Sequence, residues 1–137
     1  MNWKENVDSL PNFKMLDLGT LKELDEFSFK KESLALEIVK LYLEISPQQF
    51  VKLNEYFKAG AFLKMSSEAH SLKSSSASIG ALVVASLCHE VERLGKKSEP
   101  IDANVELKHL LESLKSHFQL LIEELEVLKR AMLREYN

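Results

Sequence analysis

LKHLLESLKSHFQLLIEELEVLKRAM, residues 107–132, carries Leu107, Leu111, Leu114, Phe118, Leu121, Leu125, Leu128 and Met132 at alternating intervals of four and three. That spacing lays all eight on one stripe of an amphipathic helix, with polar residues on the other faces. The same rhythm recurs upstream. Leu34, Ile38, Leu41 and Ile45 keep it, and Phe50, Leu53 and Phe57 resume it after Pro47, a residue suited to a first helical turn. No stretch alternates with period two for long enough to form a strand. The pattern predicts an all-α chain.

The punctuation predicts how the helices connect. Gly19-Thr20 precedes a short helical stretch at 21–27, and Ser28 stands before a helix at 30–46. Gly60 separates 48–59 from 61–79, Gly80 separates that helix from 81–97, and Ser98-Glu99-Pro100 stops the chain before a last helix at 102–134. The last four long helices, joined by short turns, predict an antiparallel up-down four-helix bundle. Residues 1–29 read as an N-terminal extension with a short helix. The helix at 30–46 is expected to pack across one end or side. At about 1.5 Å per residue the last helix spans roughly 48 Å, longer than its neighbours, so it should either bend or project.

Composition narrows the function. A chain of 137 residues fits a single domain, and 45% apolar residues suffice for a core. A net charge of −3 argues against nucleic-acid binding driven by overall charge. The single Cys88 excludes an internal disulfide and a multi-cysteine zinc site. No apolar run reaches the roughly 18–20 residues of a membrane span. Met1–Asn6 has no apolar signal core behind its one early lysine. A soluble, cytoplasmic monomer is expected, with no metal or cofactor of its own.

Between Ser66 and Ser78, seven of thirteen residues are serine. On a helix at 100° per residue, Phe62, Met65, Ala69, Leu72, Ser76 and Ile79 form the inward stripe, and His70 lies some 130° from its centre. Its surface neighbours are Ser66, Ser67, Lys73, Ser74 and Ala77, all small except the lysine. An imidazole near neutral pH is a good nucleophile, and attack on an acyl phosphate yields a labile phosphoimidazole. Lys73 supplies positive charge to phosphoryl oxygens, and the small residues admit a partner's active site.

The run Ala69-His70-Ser71-Leu72-Lys73-Ser74-Ser75-Ser76-Ala77-Ser78-Ile79-Gly80-Ala81, followed by Leu82, Leu87, Cys88, Val91-Glu92 and Gly95, resembles the histidine phosphotransfer (HPt) domain family. That family's pattern is A-H-x-L-K-G-S-S, a G-A pair, and a Cys followed by an apolar-Glu pair. The resemblance implies a four-helix bundle whose exposed histidine takes phosphoryl from the phospho-aspartate of one receiver domain and passes it to another. His70 is then the phosphorylation site, at Nε2, with Lys73 assisting and Mg²⁺ supplied by the receiver. Ser74 replaces the family's usual Gly, and Val91 its commoner Leu. The receivers would belong to response regulators or hybrid histidine kinases. No G-x-x-x-x-G-K nucleotide motif is present, so the chain is expected to carry phosphoryl without being a kinase.

Charge supports a docking face. Residues 58–97 carry six basic and three acidic side chains, a net +3, while 1–57 and 98–137 each carry −3. Ser66, Ser67, Ser74, Ala77, Arg93 and Lys96 are the candidate docking residues, with Lys73, Lys96 and Arg93 steering an acidic receiver. Glu92 is a candidate to orient His70 from the facing helix. His89, His109 and His117 read as ordinary polar-face or boundary residues, and Cys88 as a buried hydrophobe. Two other readings remain open: a module that docks a receiver without accepting phosphoryl, and a structural protein that assembles through Leu107–Met132.

Overall fold

A computed structural model describes residues 3–6, 10, 12–26, 33–97 and 102–136. Among these residues every regular element is a helix: α1 (Trp3–Asn6), α2 (Leu18–Glu26), α3 (Leu34–Lys58), α4 (Phe62–Ser78), α5 (Leu82–Lys97) and α6 (Asp102–Tyr136). Helices α3 to α6 form the bundle, with α4 packed on both α3 and α5, and α6 on α3 and α5. No helix among the described residues is long and apolar enough to cross a membrane.

The two helices expected on either side of Pro47 are one. Helix α3 runs 25 residues straight through the proline, so 34–46 is the first half of a bundle helix and does not lie across an end. A proline in a helix interior costs about 3 kcal/mol. Here a single buried row spans it: Leu36, Val39, Tyr42 and Ser46 before, Leu53 after. Packing along both halves offsets the missing hydrogen bond. The same continuity turns Leu41 and Ile45 outward, about half exposed, whereas the spacing alone put them in the core. Tyr42 and Ser46 are buried in their place, and the Tyr42 hydroxyl meets Ser76 Oγ of α4 at 2.7 Å.

Two identical turns fold α3, α4 and α5 against one another. Ala61 N–H reaches Tyr56 C=O and Gly60 N–H reaches Phe57 C=O; Ala81 and Gly80 repeat this onto Ser76 and Ala77. Each is a Schellman closure with a left-handed glycine, at φ 69° for Gly60 and 81° for Gly80. The expected start at Ser28 lies outside the described residues; α3 begins after Ser33, whose hydroxyl accepts from Leu36 N–H.

Helix α6 holds 35 residues, about 52 Å, and its far end does not stand bare. Leu125, Leu128 and Met132 have no exposure at all. The N-terminal extension lies against α6: α1 packs on it, and both Lys14 N–H and Met15 N–H donate to the buried Glu124 carboxylate at 2.9 Å. Trp3 is buried, and its indole donates to Asp25 at 2.7 Å. Asp25 in turn accepts from Ser33 Oγ and Ala35 N–H, tying the extension to the start of α3. Every residue of the Leu107–Met132 stripe is buried within the chain, so that stripe has no free face for assembly.

Candidate functional site

Helices α4 and α5 pack closely because of two small residues. Gly95 has room for no more: a Cβ there would sit 3.0 Å from Phe62 C=O and 3.1 Å from Ser66 Cβ. Ser66, buried, donates its hydroxyl to Glu92 C=O at 2.8 Å. That bond makes Ser66 a strut between the helices. Its hydroxyl faces α5, and the residue also lines the cleft beside His70. Close approach of the two helices is what brings the Glu92 side chain beneath His70.

The His70 ring is exposed, with 59% of its side chain open, and its Nδ1 lies 2.9 Å from Glu92 Oε1. Lys73 Nζ reaches Glu92 Oε2 at 2.7 Å, and Lys96 Nζ reaches Oε1 at 3.3 Å. The Lys73 hydrogen bond is the main reason the Glu92 carboxyl falls to about 2; burial opposes it, and the bonds from His70 and Lys96 reinforce it. An ionised carboxylate only accepts, so Nδ1 of His70 carries the proton. In the neutral ring the lone pair is then on Nε2, which has no hydrogen-bond partner among the described residues. Sequence reading proposed Glu92 as an orienting group, and the geometry has the contact that role requires.

Around the ring the helix face is low. Ser67, Ser71, Ser74, Ala77 and Ser78 are exposed. Ser74 and Ser78 turn their hydroxyls back onto the carbonyls of His70 and Ser74, which leaves little reaching outward. A cleft of about 530 Å³ opens beside the ring between Leu63, Ser67, Glu92 and Lys96. On the other flank of α4, Ile38, Leu41, Ile45, Ser75 and Ser78 line an open apolar groove of about 400 Å³. The spacing of α3, which sent Leu41 and Ile45 inward, hid this groove.

Arg93 does not join the cluster. Its guanidinium is held by Glu90 at 2.7 Å on the same helix, with Glu106 of α6 adding to the field around it. His89, read from sequence as an ordinary surface residue, lies 3.5 Å from Lys73 Nζ. Its position three residues before Glu92 on the same helix face was the signal available. Burial pushes the Cys88 thiol up to about 12, against the pull of Lys73, so it is no nucleophile. Among the described residues no three His, Cys, Asp or Glu side chains gather as a metal site.

The Hpt domain family model matches residues 37–131. The chain belongs to the Hpt domain family. Phosphorelay intermediate protein YPD1 of Candida albicans (strain SC5314 / ATCC MYA-2876) is 21% identical over 94 residues, 69% of this chain and 51% of that protein. The chain thus spans about half the length of the curated relative it matches. No solved structure gives a significant match. Membership gives this Hpt domain a general role in phosphotransfer.

Proposed function

We propose that this Hpt domain is the histidine step of a cytoplasmic phosphorelay: His70 Nε2 takes phosphoryl from a receiver-domain phospho-aspartate and yields it to another receiver. One observation carries the reading. The ring stands exposed on a face of small residues, with Nδ1 held by an ionised Glu92 and Nε2 unengaged. Phosphoryl transfer asks for in-line placement and neutralised oxygens more than for covalent machinery, and the receiver brings its own Mg²⁺. Lys73 and Lys96, both bonded to the Glu92 carboxylate that His70 contacts, supply positive charge beside the ring.

Docking uses the α4 face with Ser67, Ser74 and Ala77. The apolar groove, which shares Ser75 and Ser78 with that helix, extends the contact. The test is transfer from a ³²P-labelled receiver domain. The label on this chain should be acid-labile and base-stable, and absent from a folded His70→Gln protein. Receiver binding without label on the wild-type chain would favour the docking-only reading.

A further inference from the structure

Helix α3 turns Leu41 and Ile45 outward, and with Ile38 and Ile79 they wall the groove of about 400 Å³ beside α4. No charged side chain lines it. Tyr42, on the same wall, stays protonated, because burial pushes its hydroxyl well above the ordinary value. A charged ligand would lose its hydration there with nothing to pair it. The Ser75 and Ser78 hydroxyls on the α4 wall are bonded to carbonyls of their own helix, at 3.2 and 2.9 Å. Ser46 and Gln49 on the α3 wall differ. Ser46 is 1% exposed, and its Oγ and the Gln49 Oε1 are both buried with no hydrogen-bond partner among the described residues. Ser46 also acts on the Tyr42 hydroxyl, but that hydroxyl makes its own 2.7 Å bond to Ser76. Buried polar atoms in folded proteins are ordinarily paired.

We propose that this groove is a binding site for a neutral small molecule that carries an alcohol or phenol hydroxyl on an apolar body. One hydroxyl does both things the pair needs. Its hydrogen is donated to Gln49 Oε1, which only accepts, and its oxygen accepts from Ser46 Oγ. The aliphatic walls take the apolar body. An apolar pocket of this volume with a few convergent polar groups is the ordinary form of a small-molecule site. Both atoms are shielded from water, so a ligand hydroxyl gains its two bonds without displacing an ordered water. Leu41 and Ile45, about half exposed, and the half-buried Gln49 have room to turn and admit it. The site does not depend on phosphotransfer at His70. A receiver docked on the α4 face as proposed above and a ligand in the groove would exclude each other.

The experiment titrates the full chain with 4-butylphenol and follows backbone amide shifts by NMR, with no receiver present. Shifts should cluster at residues 38–49 and 75–79. Methylating the oxygen, in 4-butylanisole, keeps the apolar body and removes the donor, and should weaken binding about fivefold or more. A groove that recognises only apolar surface would bind the more apolar anisole at least as tightly, and that result would overturn the inference. Ionised 4-butylbenzoate should bind about tenfold more weakly than the phenol. Gln49→Leu, close in size and without the acceptor, should bring phenol binding down to the anisole level, with circular dichroism checking the fold. Unchanged phenol affinity in that folded variant would also overturn the inference. The comparison of probes on the wild type stands whether or not the variant folds. No shift at the groove with any probe would refute the site and leave the groove to the receiver, with the phosphocarrier reading of His70 untouched.

Discussion

Two glutamates with nearly the same burial do different things. Glu92, at 7% exposure, receives only side chains: an imidazole and two ammonium groups. Glu124, at 8%, receives backbone N–H groups from Lys14 and Met15. A backbone donor is fixed by the chain, so its loss costs stability. A side-chain donor can turn to water or to another anion, so its loss costs orientation. The far end of α6 is built to stay put, and the α4–α5 face is built to exchange partners. Each prediction below tests that division.

The largest expected effect lies in the extension. Trp3→Ala removes a fully buried indole and leaves Asp25 short of a donor, and should cost about 3–5 kcal/mol in urea unfolding. His70→Gln should stay within about 0.5 kcal/mol of wild type while abolishing labelling. If Trp3→Ala were as stable as wild type, the extension would be an appendage and not part of the fold. Next comes Glu124→Gln. One of its two oxygens becomes an amide that points a donor at Lys14 or Met15, for about 1–3 kcal/mol. Glu92→Gln, two of whose three partners are more than half exposed, should cost about 1 kcal/mol.

How much of this was legible follows the same line. Wherever one helix face meets one core the period of the sequence sufficed: Leu107 to Met132 and Met65, Ala69, Leu72 and Ser76 are all buried. Both glycine turns fell where they were read. Pro47 was not readable, because its local cost is outweighed by contacts of residues on both sides of it with helices far along the chain. The C-terminal length of α6 posed the same problem, since what covers it is an extension whose burial depends on Glu124, about 110 residues away. At the site, His70 and Lys73 were visible from one helix. The Ser66 bond to Glu92 C=O and the approach of His89 to Lys73 were not legible, because both depend on how closely Gly95 lets α5 approach.

Acid separates the two regions in a second way. The Glu92 carboxyl is held at about 2, chiefly by Lys73. Asp25 is also lowered; burial raises it, but bonds from Ala35, Ser33 and Trp3 together outweigh that. Both groups sit below their unfolded values, so each adds stability that is complete above the unfolded value and is lost as pH falls through the folded one. The urea midpoint should therefore drop between about pH 4.5 and pH 2. Asp25→Asn and Glu92→Gln should each flatten part of that slope, and unchanged slopes in both would place acid sensitivity elsewhere.

The smallest expected effect concerns steering. Lys96 is 65% exposed and bonded to Glu92 at 3.3 Å, on the one segment of the chain with net positive charge. Reversing it with Lys96→Glu leaves the core untouched and should slow transfer from a phosphorylated receiver about three- to tenfold at low salt. The deficit should fade as the Debye length shrinks below about 10 Å. Arg93→Glu is the matched control: its guanidinium is already occupied by Glu90 and lies off the Glu92 cluster, so its effect should be smaller. Equal slowing by both changes would mean that the receiver responds to the overall charge of the hairpin. A larger effect at Lys96 ties the encounter to the histidine face, where the exchangeable partners are.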